Sequence, residues 1–134
     1  MALSGIDHWV MIVNDLEESA AFYQKLGLEP IWEEKAGGES RRPIFPIGKQ
    51  LLKFYSKERY EIESPTGAPN YGTGTMDCCL NWDGTVKELQ DFLEKADIPI
   101  RSGPAPRRGG QGPGTSIYVR DPDGNLIEIM SYKG

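Results

Sequence analysis

The run Tyr118-Val119-Arg120-Asp121-Pro122-Asp123-Gly124-Asn125-Leu126-Ile127-Glu128 decides the fold. Asp-Gly inside a Pro- and Asn-containing turn, set between two alternating stretches, reads as a hairpin of Thr115 to Arg120 with Leu126 to Tyr132. Glu128 stands between Leu126 and Met130 on one strand face, where a carboxylate is costly to bury without a cation or a donor. Upstream, Ser102 to Gly114 is rich in Gly, Pro and Arg and reads as a loop, preceded by a short strand at Ile98 to Arg101. Before that, Thr85 with Glu88 forms a capping box, and Val86, Leu89, Phe92 and Leu93 make the apolar stripe of a helix to about Lys95. Thr75 to Trp82 reads as the strand that opens this half, with Asp77, Cys79 and Asn81 opposite Cys78, Leu80 and Trp82. Ser64 to Gly74 is a loop by composition.

The first half carries the same order. Ile6 to Val13 reads as a strand with His8, Val10 and Ile12 on one face and Trp9, Met11 and Val13 on the other. Asn14-Asp15 offers an N-cap, Leu16, Ala20, Phe22 and Tyr23 recur at helical spacing, and Gly27 stops the helix after about Leu26. Strands are expected around Pro30 to Glu34, Pro43 to Pro46 and Gln50 to Ser56, parted by the run from Lys35 to Ser40 and by the Gly48-Lys49 turn. The chain is therefore a strand-helix-strand-strand-strand unit used twice, with a period of about 70 residues. This predicts an α+β fold: two βαβββ modules, about 4–57 and about 74–133, in one domain over 1–134. Their curved mixed sheet would keep its helices outside and leave a concave inner face for a ligand.

Composition narrows the function classes. The 134 residues are 38% hydrophobic, 26% charged and 10% aromatic, an ordinary globular balance. A net charge of -5, with no basic run longer than Arg41-Arg42 or Arg107-Arg108, excludes a nucleic-acid stripe. Apolar stretches reach only about five residues, far below the roughly 20 of a membrane span. The first residues lack the basic and apolar regions of a secretory signal, which predicts a cytoplasmic protein. Adjacent Cys78 and Cys79 cannot easily bridge and are expected to be two buried free thiols. His8 is the only histidine, so two-histidine zinc signatures are excluded, as is a two-histidine, one-carboxylate iron site unless a partner chain supplies the second imidazole.

The stretches Ile6-Asp7-His8-Trp9-Val10-Met11-Ile12-Val13-Asn14-Asp15-Leu16, Ala21-Phe22-Tyr23, Leu26-Gly27-Leu28 and the tail from Tyr118 to Glu128 resemble the vicinal oxygen chelate superfamily. That group holds glyoxalase I, bleomycin- and fosfomycin-resistance proteins and extradiol dioxygenases. The stretch from Gly103-Pro104 to Gly114, leading into Ser116-Ile117-Tyr118, looks similar to the glyoxalase-domain-containing 5 group and to related bacterial virulence-labelled proteins. The resemblance implies four inward metal-ligand positions. His8 matches the first and Glu128 the last. The second falls where Lys53 or Tyr55 takes the inward register, and the third falls at or beside Asp77, where many members carry histidine. The resemblance thus implies either an oxygen-rich site of His8, Asp77 and Glu128, with Tyr55 at most a weak fourth ligand, or a cavity that has lost its metal.

The donor types favour Mg, Mn, Fe(II) or Ni, with Zn still open. A divalent ion at such a site grips neighbouring oxygens of a substrate and stabilises an enolate or oxyanion. The resemblance makes Glu128 the catalytic candidate, and Lys53, Tyr55, Tyr118 and Arg108 the candidates for contacting a small-molecule substrate. Arg107 and Arg108 read first as solvated surface and second as a mobile lid that meets an anionic substrate, and Tyr55 reads first as a packing aromatic. Two function classes are implied: a metal-dependent lyase, isomerase or dioxygenase, and a metal-free binding or sequestering protein of the bleomycin-resistance type. Glyoxalase I proper and an extradiol dioxygenase are disfavoured by the missing ligands. A homodimer is expected, and so is an approach of His8 to Glu128.

Overall fold

The computed structural model describes residues 1–34, 41–63 and 67–134, so the predicted 35–40 loop and part of the 64–74 loop lie outside the described residues. Two compact units divide the chain, Met1–Thr75 and Met76–Gly134.

The first unit contains β1 (His8–Ile12), α1 (Leu16–Lys25), β2 (Ile31–Glu33), β3 (Arg42–Ile47), β4 (Gln50–Tyr55) and α2 (Lys57–Glu63). Its four strands run in the order β1-β4-β3-β2, with β1 parallel to β4 and the other pairs antiparallel. Asp15 caps α1 by accepting the Glu18 N–H at 3.0 Å, and Glu17 and Glu18 sit favourably in its first turn. The helix lays Tyr23 against Phe45 and Phe54, with ring centroids 6.0 and 5.1 Å away, and all three rings are fully buried. Met11 accepts from the Tyr23 hydroxyl at 3.6 Å. One face of the sheet is thereby committed to the helix. The opposite face carries His8.

The second unit contains β5 (Asp77–Asn81), α3 (Val86–Lys95), β6 (Ser102–Gly109), β7 (Gly112–Arg120) and β8 (Leu126–Ser131), in the order β5-β8-β7-β6 with β5 parallel to β8. The two units therefore share one topology, as the repeat predicts. The Thr85–Glu88 capping box forms as expected. Leu80, Leu89, Leu93, Ile117, Val119, Ile127 and Ile129 make the core, and Trp82 packs on Phe92 of α3 at 5.2 Å. Asp121 organises the turn: its buried carboxylate accepts the backbone N–H of Asp123 at 3.0 Å and of Asn125 at 2.9 Å, and the Asn125 side-chain amide at 2.8 Å. Asn125 then accepts the Met76 N–H at 2.8 Å, which ties the turn to the residue before β5.

Three expectations are corrected. Ser102 to Gly114 is no loop, because β6 and the start of β7 pair through it, while Ile98 to Arg101 forms no strand. Prolines are tolerated in β6 because it is the edge strand. Glycines of the β6–β7 hairpin answer close approaches: a Cβ on Gly103, whose φ is +91°, would stand 2.5 Å from the Ser116 carbonyl oxygen, and one on Gly114 would stand 2.8 Å from that of Ser131. Lys57–Glu63 forms a helix that the periodicity reading passed over. Finally, the thiols are not both buried, since Cys79 is exposed and Cys78 half-buried. Alternation puts Cys79 on the polar face of β5 with Asp77 and Asn81.

Candidate functional site

Strand register sorts the candidates onto two sheet faces, one in each unit. In the first unit Val10 pairs with Lys53 and Ile12 with Tyr55, so Lys53 and Tyr55 share the face of His8. His8 is exposed, and its Nδ1 meets the Asp7 carboxylate at 2.7 Å, an arrangement that leaves Nε2 open. Ile44 pairs with Lys53, which brings the alternating Arg42 onto the same face. The Arg42 guanidinium lies 4.1 Å above the centre of the Tyr55 ring. Its Nε donates to Glu33 Oε2 at 3.0 Å, and Nη2 lies 3.0 Å from the same oxygen as an ion pair. Sequence reasoning noted Arg42 only as half of a basic pair. The β3–β4 hairpin register was the signal that would have placed it beside Tyr55.

In the second unit Cys79 pairs with Glu128 and Glu128 with Tyr118, so Asp77, Cys79, Tyr118 and Glu128 lie on one face. Glu128 is half-buried, and its Oε2 accepts from the buried Ser116 hydroxyl at 2.6 Å. Arg107 donates to the Tyr118 hydroxyl at 2.9 Å and to the Pro106 carbonyl at 2.8 Å. Arg108, the sequence candidate, takes the alternate position in β6 opposite Pro113, and Arg107 is the arginine that reaches Tyr118. Reading this stretch as a loop hid the alternation that separates the two. Crowding by the surrounding chain, then the negative charge of Glu128 and Asp77, pushes the Cys79 thiol up to about 11, although the residue is exposed. Burial does the same to Cys78, with smaller contributions from Cys79, Asp121 and Asp77. Both thiols are thus held protonated and unreactive near neutral pH.

The donor set was tested against a divalent ion. Among the described residues no three His, Cys, Asp or Glu side chains form a group that could hold one. Lys53 offers an ammonium rather than a lone pair, and the Tyr55 ring lies under a guanidinium. At the position where the resemblance implies the second ligand, the described side chains are therefore an ammonium and an aromatic ring rather than an imidazole or carboxylate.

Comparison with known proteins now settles the family. A profile of the Glyoxalase/Bleomycin resistance protein/Dioxygenase superfamily matches residues 5–129. The chain belongs to this superfamily. The "Glyoxalase domain-containing protein RDO1" of Mycosarcoma maydis is 32% identical over 133 residues, which is 99% of this chain and 71% of that protein. A solved structure from the mobile metagenome of V. Pseudocholerae superposes with a TM-score of 0.86 at 33% identity, covering 100% of this chain and 98% of the other. The lactoylglutathione lyase of Agrobacterium tumefaciens superposes with a TM-score of 0.69 at 26% identity, covering 98% and 96%. These matches confirm the α+β fold expected from the repeat and the glyoxalase-like family that the resemblance implied. Among the described residues no helix is long and apolar enough to cross a membrane.

Proposed function

We propose that this glyoxalase-superfamily protein recognises a small, oxygen-rich anion without a resident divalent ion, in the manner of the superfamily's binding proteins. The observation that carries the reading is the β4 register. Where the resemblance implies a second metal ligand, the sheet face presents the Lys53 ammonium and a Tyr55 ring under the Arg42 guanidinium. Those groups suit anionic oxygens better than a cation. A single domain over 1–134, a homodimer and a cytoplasmic setting belong to the proposal.

A second reading, the metal-dependent lyase, isomerase or dioxygenase, is favoured by one geometry. A carboxylate on one ring nitrogen of His8, with the other nitrogen open, is the outer-shell arrangement of metal-binding histidines. Metal analysis of protein purified without an affinity tag, followed by titration with Mn(II) and Ni(II), separates the two. The proposal expects far less than stoichiometric metal and no saturable uptake. Stoichiometric uptake that disappears in a His8→Ala, Glu128→Ala double variant would install the enzyme reading instead.

A further inference from the structure

We infer that the cleft at the C-terminal end of α3 is a second ligand site, fitted to a small organic ammonium ion with an apolar body. All of its residues belong to the second unit, so the inference is independent of the site proposed above. The cleft has a volume of about 660 Å³, within the size range of small-molecule sites. Its floor is apolar. Ile98 is buried there, and Pro99 and Ile100 continue from it as a segment outside the sheet ladder, with Ile100 38% exposed.

The walls are acidic. Asp91, Glu94 and Asp97 line the cleft with a single ammonium, that of Lys87, and Asp91 engages it as an i,i+4 ion pair. The hydrogen bond to Asp91, then that carboxylate's charge and more weakly the charge of Glu94, hold Lys87 above its usual range, so these walls favour a cation. The last carbonyls of α3 add the negative end of the helix dipole. A metal ion is a poor match, because among the described residues no three carboxylates group closely enough to coordinate one. An ammonium with an apolar tail answers both walls and floor.

Asp97 shows the acidic wall kept against local preference. α1 and α3 end in the same way. In α1 the Leu28 N–H reaches the Tyr23 carbonyl and the Gly27 N–H that of Gln24, both at 3.0 Å; in α3 the Ile98 N–H reaches Leu93 at 2.9 Å and the Asp97 N–H reaches Glu94 at 3.1 Å. This pair of hydrogen bonds calls for a left-handed residue, which α1 supplies as Gly27 at φ +100° and α3 as Asp97 at φ +58°. An aspartate tolerates that conformation less well than glycine, and its charge opposes the helix dipole. Both disadvantages fall on a residue that lines the cleft, and a bound cation offsets the second.

The test titrates the full-length protein with hexyltrimethylammonium chloride and reads backbone amide shifts. The comparison probes are 1-hexanol, which keeps the tail without the charge, and choline, which keeps the charge without the tail. Saturable shifts gathered between Gln90 and Ile100 are expected with the ammonium in the millimolar range, and binding of each comparison probe about tenfold weaker or more. Asp97→Gly suits the backbone, as Gly27 does in α1, and should raise the urea midpoint while weakening the ammonium about threefold or more. Glu94→Gln should weaken it to a similar degree. Hexanol binding as tightly as the ammonium would overturn the cation assignment, and affinity unchanged in both variants would overturn the role of the acidic wall. Absence of saturable shifts in this segment would overturn the site. Concentration-dependent shifts at the same amides without any probe would make a second copy of the chain the occupant and overturn the small ligand.

Discussion

Replacing Asp121 by alanine should destabilise the second unit by about 3 kcal/mol, read by urea denaturation monitored with circular dichroism. The carboxylate accepts from two backbone N–H groups and one side-chain amide, and both Asp121 and Asn125 are buried. Removing the acceptor breaks these three hydrogen bonds, at about 1 kcal/mol each. The Asn125 amide is oriented partly by this contact, so its bond to the Met76 N–H, and with it the entry to β5, loosens too. Asp121→Asn keeps one acceptor oxygen and should recover part of the loss. A change below about 1 kcal/mol for Asp121→Ala would show that the turn is held by Gly124 and the strand ladder alone.

Alkylation of Cys79 by iodoacetamide at pH 8 should be about a hundredfold slower than that of a simple thiol, despite the exposure of the residue. The thiolate is the reacting species, and a thiol raised from 9.0 to about 11 holds about a hundredth of the usual thiolate at that pH. The sign is fixed by the causes: desolvation disfavours the anion, and Glu128 and Asp77 repel it. The rate should therefore keep climbing with pH until about 11 instead of levelling off near 9. Glu128→Gln should move the profile toward lower pH while leaving the strand intact. A profile that levels off near 9 in the native chain would refute the electrostatic description of this face.

What could be read from sequence depends on the periodicity of each segment. β1, β4, β5 and β8 alternate cleanly or end on clear turn residues, and the two capped helices carry their signals locally. His8 and Glu128 could therefore be placed on strands, and the repeat carried the shared topology of both units. β6 was not legible, because its Gly and Pro content reports close packing against β7 and an edge position rather than a turn. That one misreading also cost the distinction between Arg107 and Arg108, which only strand alternation supplies. Arg42 was missed for a related reason. Its significance comes from a neighbour thirteen residues away in Tyr55 and a carboxylate nine residues back in Glu33, and no local motif links the three. Composition also misplaced the cysteines, by treating thiols as core residues where the polar alternation of β5 already put Cys79 outside.

The central claim is that the His8 face of the first unit's sheet, which carries Lys53 and Tyr55, binds a small anion without metal. Amide chemical-shift mapping of metal-stripped protein against a panel of small 2-hydroxy and 2-oxo carboxylates tests it most directly. The account predicts saturable shifts at Lys53 and Tyr55 on β4, undiminished by a chelator. Shifts that gather on α1 or α3, or that arise only after a divalent ion is added, would contradict it.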